Sequence, residues 1–534
     1  MAFISMILLI ISSYSAGGTI VSMSLSNFRE VDMNTTLMFD SFSISFLSTV
    51  ILVSSMVMVY SKFYFSGFPP KFKLILSMFI LSMVVLVMSF DVFWVMVGWD
   101  GLGLSSFLLI IYYQSVRSFN SSLITFISNR IGDFFMIGSV VILTCEVGWT
   151  SKAIGPPLIF SLLIIIGGFA KSAQVPFSGW LPLAMAAPTP VSALVHSSTL
   201  VTAGVFIFIR FYDMIFTSIS SELTFFVGTL SVVLAGWSSL GEFDLKKVIA
   251  LSTLSHVGLM IMMVGVGSVT SAKAHLITHA LFKSTLFMIA GVIIHNNSGD
   301  QDIRTLNIYE EDLSLSWAMS VCLFSMMGAP FMSGFISKEM MIDETFYQGT
   351  SVWWLYLAIG ATFSYSVRLF VNLFNFSSSP VRIWTSSTGP GVLLVGSVLS
   401  SGVGSLMVMD LLKGFTLFKS VSLNWLIISL LIGVSLGTIT PPAFHNLPSW
   451  FILPSQSMWA INSIVITLQT ISFNLSNQSM TSIDIKGLFG WLIEWAVGVI
   501  SSWSTSVYKT ILWNVFMMMK IASLITLITL ILTN

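Results

Sequence analysis

Long apolar runs follow one another along almost the whole chain, separated by short polar stretches. Each is about twenty residues long, enough for a helix to cross a bilayer. The runs are continuous and do not alternate, so they predict α-helices and not the strands of a barrel. About fifteen spans are expected, at 3–24, 38–60, 73–90, 91–112, 121–145, 156–186, 189–211, 222–241, 247–267, 272–295, 315–341, 352–374, 391–410, 424–441 and 512–533. The fold class is therefore all-α, a polytopic membrane protein with no room for a soluble domain between spans.

Two spans carry breaks. The sixth contains Phe169-Ala170-Lys171-Ser172-Ala173-Gln174-Val175-Pro176, and the eleventh contains Gly328-Ala329-Pro330-Phe331-Met332-Ser333-Gly334-Phe335-Ile336-Ser337-Lys338. Each couples Pro and Gly to one lysine, and they lie five spans apart. An odd offset reverses the chain direction, which is the relation of an inverted-topology repeat. The expected organisation is N-terminal spans over 1–72 and a core of two inverted five-helix repeats over 73–374. Further spans follow over 375–441, then a lateral amphipathic segment over 442–511 and an anchor span over 512–534. The lateral segment holds Trp450, Trp459, Trp491, Trp495 and Trp503 with few charges, which suits a helix at headgroup level.

Composition agrees. Of 534 residues, 55% are hydrophobic and 8% charged, and the mean hydropathy is +0.94; soluble domains carry about 25% charged residues. The 22 basic and 22 acidic residues cancel, which gives no reason to expect nucleic acid. Two cysteines, Cys145 and Cys322, are too few for an iron–sulfur cluster, which takes about four ligands. The first apolar run lacks a basic leader, so no cleavable signal is expected. The 31 methionines suit a mitochondrial genetic code. Loops after even-numbered spans hold Lys62, Lys71, Lys73, Arg117, Lys246, Lys247, Arg304, Arg382 and Lys486, while the opposite loops hold Arg29, Lys152, Lys273, Lys413 and Lys419. The excess places the even side in the matrix or cytoplasm.

The charges inside the spans carry the chemistry. Asp100 lies within Val97-Gly98-Trp99-Asp100-Gly101-Leu102, and a carboxylate at a bilayer centre costs about 2.5 kcal/mol or more on insertion scales. Lys171 and Lys338 sit beside helix breaks, where freed backbone groups can hold water. Snorkelling to an interface is the bland alternative, closer to even for Lys338 than for Lys171. Asp100 is expected to pair with Lys171 across a helix interface, either as a tuning charge or as a structural ion pair. Asp133 and Arg130 are spaced to pair with each other at i, i+3. His275, His279 and Lys283 recur at i, i+4, i+8 and make one polar stripe. Two histidines at i, i+4 also suit zinc, but Leu276 stands where the zincin pattern has Glu, so a proton relay is preferred to a metal site. His196 lies among prolines and hydroxyls in Pro188-Thr189-Pro190-Val191-Ser192-Ala193-Leu194-Val195-His196-Ser197-Ser198-Thr199. A histidine can change charge near neutral pH, although a lone buried one is more often hydrogen-bonded core.

With Asn129-Arg130-Ile131-Gly132-Asp133, Asp244-Leu245-Lys246-Lys247-Val248-Ile249-Ala250 and Thr278-His279-Ala280-Leu281-Phe282-Lys283, these strings make the chain resemble the NADH dehydrogenase subunit 5 family. These are the distal antiporter-like subunits of mitochondrial respiratory complex I. The resemblance is specific from about Phe39 to Arg368 and looser beyond. It implies a proton-translocating subunit of NADH:ubiquinone oxidoreductase in the mitochondrial inner membrane. Asp100, Lys171, His196, His275, His279, Lys283 and Lys338 would form the relay, supported by Asp133 and Arg130. It implies no cofactor in this chain, with NADH, FMN, iron–sulfur clusters and ubiquinone in partner subunits, and contacts with lipid and an adjacent antiporter-like subunit. Three departures stand out. Asp100 replaces the family's usual Glu, His256 stands where Gln is usual, and one N-terminal span is expected to be missing. The rival readings are a cation/proton antiporter of the Mrp type and a structural clamp that does not pump.

Overall fold

The computed structural model describes residues 19–374, apart from short connecting stretches, together with isolated positions between 396 and 438. The spans expected at 391–410, 424–441 and 512–533, and the lateral segment 442–511, lie outside the described residues, isolated positions excepted.

The first expected span, 3–24, needs correction over residues 19–24; residues 3–18 lie outside the described residues. From Thr19 the chain is a strand, β1 (Thr19–Phe28), paired antiparallel with β2 (Val31–Phe39). Thr19 faces Phe39 and Phe28 faces Val31, with a register irregularity between Ser24 and Ser26. The reason is legible in hindsight. Val21-Ser22-Met23-Ser24-Leu25-Ser26 alternates with period two, the pattern of a strand, inside a stretch whose average is apolar.

From Asp40 onward each span expected up to residue 374 has its helix or pair of helices. They are α1 (Ser41–Tyr64), α2 (Pro70–Met88), α3 (Val92–Ile110), α4 (Val116–Glu146), α5 (Leu158–Lys171), α6 (Trp180–Ala184) and α7 (Thr189–Arg210). They continue with α8 (Ser218–Gly241), α9 (Leu245–Val266), α10 (Val269–Asn296), α11 (Leu313–Met327), α12 (Ser333–Gln348) and α13 (Val352–Leu373). Among the described residues, nine helices are long and apolar enough to cross a membrane. The breaks fall where Pro and Gly placed them, between α5 and α6 and between α11 and α12. In each run of five consecutive spans, the fourth is the broken one.

Local chemistry explains how so many hydroxyls enter apolar helices. Ser48 donates to the Ser45 carbonyl at 2.6 Å, Ser82 to Phe79 at 2.7 Å and Ser252 to Ile249 at 2.6 Å. A hydroxyl bonded to its own preceding turn needs no partner from lipid. The backbone N–H of Asp40 donates to Ser43 Oγ at 2.9 Å, and that of Thr217 to Ser220 Oγ at 2.7 Å, which starts α1 and α8. Asp40 also accepts from Arg210 at 2.9 Å and so ties the start of α1 to the end of α7.

α9 and α10 are buried around nearly their whole circumference, the polar stripe of His275, His279 and Lys283 on α10 included. The outer helices keep an exposed apolar stripe, which on α4 runs Ile127, Ile131, Phe134, Ile137 and Val141. Close helix approach is set by small residues, because lipid supplies no hydrophobic drive between helices. At Gly228 on α8, a Cβ would lie 2.7 Å from the backbone nitrogen of Met262 on α9. That contact is with backbone and cannot turn aside. Gly228→Ala is therefore expected to push α8 from α9 and to destabilise the protein by about 1–3 kcal/mol. A lowered thermal unfolding midpoint of the purified protein is the expected reading, and an unchanged midpoint would show the interface to be loose.

Candidate functional site

The interior charges gather in two groups. The first is built on α3, α4 and α5. Lys171, the last residue of α5, is fully buried, and its Nζ donates to the Trp99 carbonyl while lying 4.4 Å from the centroid of the Trp99 ring. The Trp99 indole N–H donates to Asp133 Oδ1 at 2.9 Å. Asp133 Oδ2 accepts from Arg130 at 3.2 Å, and Arg130 lies 3.7 Å from Asp100 Oδ2. The i, i+3 pair expected between Arg130 and Asp133 is present.

The direct Asp100–Lys171 pair is not. Neighbouring residues on a helix point about 100° apart. Trp99 faces inward to meet Lys171, while Asp100 turns toward Arg130, and its short side chain is 40% exposed. Asp133, with a side chain only 4% exposed, is the buried carboxylate of the group. Trp99 was not among the residues singled out from the sequence. Its only signal was an indole beside a buried charge.

The break after Lys171 leaves backbone carbonyls without helical partners, and side chains take them. The Trp180 indole donates to the Ala170 carbonyl at 3.0 Å, and Gln174 Nε2 to Ser172 at 2.9 Å. His196 follows on α7, within a π-helical stretch Ser192–Thr199, a distortion often found at functional sites. It is buried, neither ring nitrogen has a hydrogen-bond partner among the described residues, and its ring centroid lies 6.1 Å from that of Trp180. α7 packs against both α5 and α10, so His196 stands on the helix between the two groups.

The second group is built on α9, α10, α11 and α12. Lys283 Nζ donates to Ser252 Oγ at 2.5 Å and lies 2.9 Å from Met326 Sδ. Lys338 Nζ donates to the carbonyls of Met326 at 3.0 Å and Met327 at 2.8 Å, and to Thr362 Oγ1 at 3.0 Å. Those two carbonyls end α11, and the break at Gly328 (φ +82°) frees them. The lysine therefore closes the break and does not snorkel; it is 3% exposed. Among the described residues neither Lys283 nor Lys338 has a carboxylate in ion-pair contact. His275 Nδ1 lies 2.8 Å from Ser337 Oγ. His279 is fully buried, and among the described residues neither of its ring nitrogens has a hydrogen-bond partner. Among the described residues no cluster of His, Cys, Asp and Glu is arranged to hold a metal ion.

The family described as NADH:quinone oxidoreductase/Mrp antiporter, TM, matches residues 89–364, which include both groups. The chain belongs to that family. It is 39% identical over 399 residues to the NADH-ubiquinone oxidoreductase chain 5 of Mytilus edulis, covering 70% of each chain. The protein of the same name from Lumbricus terrestris is 35% identical over 82% of this chain and 76% of its own length. That from Anopheles gambiae is 42% identical over 62% of this chain and 60% of its own length. Among solved structures, an Mrp complex from a Dietzia species superposes with a TM-score of 0.76 at 23% identity, covering 95% of this chain and 59% of that one. An archaeal membrane-bound sulfane sulfur reductase superposes at 0.66 and 20% identity, covering 81% and 93%. At these identities the solved structures speak for the fold alone.

The first group yields a stability prediction. Asp133→Asn keeps an acceptor for Trp99 but removes the charge that holds Arg130. Because Arg130 is partly exposed, the expected loss is about 1–2 kcal/mol, below that of a fully buried pair. Asp100→Asn, at longer range and partly exposed, is expected to cost less than about 1 kcal/mol. Thermal unfolding of the two purified variants checks the order, and a larger effect at Asp100 would contradict it.

Proposed function

We propose that this chain is a proton-translocating membrane subunit of NADH:ubiquinone oxidoreductase, placed in the mitochondrial inner membrane. The observation that carries the reading is the row of buried ionisable groups on mutually packed helices: Lys171 on α5, His196 on α7, Lys283 on α10 and Lys338 on α12. Buried charge in a membrane interior is expensive, and here two of its carriers lie at helix breaks. A structural clamp has no use for such a row.

In this reading a change in the charge or position of the Asp100–Arg130–Asp133 group reaches Lys171 through Trp99, which touches both. Loss or gain of a proton at Lys171 then biases His196, and beyond it Lys283 and Lys338. The chain supplies no redox centre: NADH, FMN, iron–sulfur clusters and ubiquinone belong to partner subunits, and the energy arrives from them. An adjacent antiporter-like subunit and lipid cover the exposed apolar stripe of α4 and its neighbours. Co-purification with an NADH-oxidising flavoprotein separates this reading from a free-standing antiporter.

Lys171→Met is expected to leave the complex assembled on a native gel and to lower proton pumping by about tenfold or more, a barrier increase of about 1.4 kcal/mol per factor of ten. Normal pumping by that assembled variant would remove Lys171 from the relay. Asp100→Glu keeps the charge facing Arg130 and is expected to pump like the native complex, whereas Asp100→Asn is expected to pump more slowly. Native pumping by the Asn variant would make Asp100 structural only.

A further inference from the structure

His256 is absent from the relay described so far, yet it lies at the centre of the second group. It sits on α9, fully buried, one helical turn beyond Ser252, the hydroxyl that holds Lys283. Its Nδ1 is 3.0 Å from His275 Nε2, and His275 Nδ1 is in turn 2.8 Å from Ser337 Oγ. Ser337 directly precedes Lys338 on α12 and donates to the Gly334 carbonyl at 3.2 Å. Three elements are thus joined by one continuous line of hydrogen bonds. Among the described residues, the remaining nitrogen of His256, Nε2, is buried without a hydrogen-bond partner, as are both nitrogens of His279. The rings of His256 and His279 are 5.6 Å apart between centroids, and those of His256 and His275 are 5.2 Å apart.

We propose that His256 is a further proton-carrying residue, which links the Lys283 side of the relay to the Lys338 side through His275 and Ser337. The proposal rests on the proton-translocating reading above and deepens it. Imidazole suits the task because it can take a proton on one nitrogen while releasing another from the opposite nitrogen. A proton arriving at His256 Nε2 forms an N–H bond there. The Nδ1–H bond of His256 breaks, and its proton bonds to His275 Nε2. The Nδ1–H bond of His275 breaks in the same way toward Ser337 Oγ, whose own O–H bond breaks as its proton passes to a water molecule at the helix break beside Lys338. One proton enters, one leaves and no electrons move. Both rings finish in the opposite tautomer, so rotation of the rings or a return transit resets the line.

The geometry couples the tautomers of the two rings. His275 can accept at Nε2 only while it donates at Nδ1 as a neutral ring, so the tautomer of His275 sets that of its neighbour. Glutamine, the residue usual here in the resembling family, can hydrogen-bond to His275 but cannot accept and release protons at two nitrogens. The groups facing His256 are His275, His279 and Lys283 from α10 and Lys338 from α12. From α13, Tyr365 reaches the adjacent Ser255 at 2.7 Å.

The test uses the assembled complex in sealed vesicles, with NADH, a soluble quinone and a pH-sensitive dye on the trapped side. His256→Gln is expected to lower the initial pumping rate by a factor of two or more (on the order of 0.4 kcal/mol in barrier) and to change its pH profile, with native-gel migration unchanged. Ser337→Ala cuts the same line at its other end and is expected to have a similar effect, and the double variant is expected to be no slower than the worse single one. Lys283→Met serves as the reference for the reading beneath the proposal. If Lys283→Met abolishes pumping while His256→Gln and Ser337→Ala keep the native rate and pH profile, His256 carries no protons. If Lys283→Met also pumps normally, the relay reading itself fails and the proposal with it. If His256→Gln does not assemble, Ser337→Ala alone decides. One zinc per complex, lost on His256→Gln, would overturn the proposal by making the three imidazoles ligands.

Discussion

The constraint on which this structure depends is that a backbone polar group in a membrane interior must find its partner inside the protein. Unbroken helices meet it automatically. The two broken spans do not, and the side chains that meet it for them include those with the most consequential chemistry. Lys338 holds the carbonyls of Met326 and Met327, and Trp180 holds that of Ala170. Lys171 reaches across to the carbonyl of Trp99 on a neighbouring helix. At the second break an ammonium group thus satisfies the backbone, while Lys171 binds a carbonyl of an unbroken helix; these bonds hold the two ammonium groups that the proposed relay would use.

The two halves use different surroundings for their lysines. Around Lys171 the charges balance: Asp100 and Asp133 offset Arg130 and Lys171, and Trp99 stands between Asp133 and Lys171, with its indole N–H on one side and its ring face and carbonyl on the other. Around Lys283 and Lys338 the neighbours are hydroxyls, carbonyls, a thioether and imidazoles. The first group is thus held by opposite charges, and the second by hydrogen bonds from its lysines and histidines to uncharged partners. His196 stands between them on a helix whose π-helical stretch alters the register of its turn.

The hydroxyl content and the glycines belong to the same economy of space and polarity. Serines bonded to their own preceding turns leave the helix surface effectively apolar. Glycine at 228 lets α8 lie against the backbone of α9, and α9 in turn carries Ser252 and His256 into the centre of the second group.

Length, period and interruption were legible in the chain by itself. Continuous apolar runs gave the helices from α1 to α13, and Pro and Gly gave both breaks. The ionisable residues at 100, 130, 133, 171, 196, 275, 279, 283 and 338 stand out in the apolar runs because each is costly in lipid, and all but Asp100 and Arg130 are buried. The i, i+3 pair of Arg130 and Asp133 was also readable, since helical spacing alone brings those residues together. Contacts between helices were not readable. That Arg130 takes Asp100, that Trp99 stands beside Lys171, and that His256 meets His275 depend on how α3, α4, α5, α9 and α10 rotate about their axes. That rotation is fixed by the packing of small residues on neighbouring helices, over distances that local sequence patterns do not encode. The opening hairpin was misjudged for the complementary reason: its average hydropathy resembled a span, and only its period-two alternation and the pairing of β1 with β2 decided otherwise.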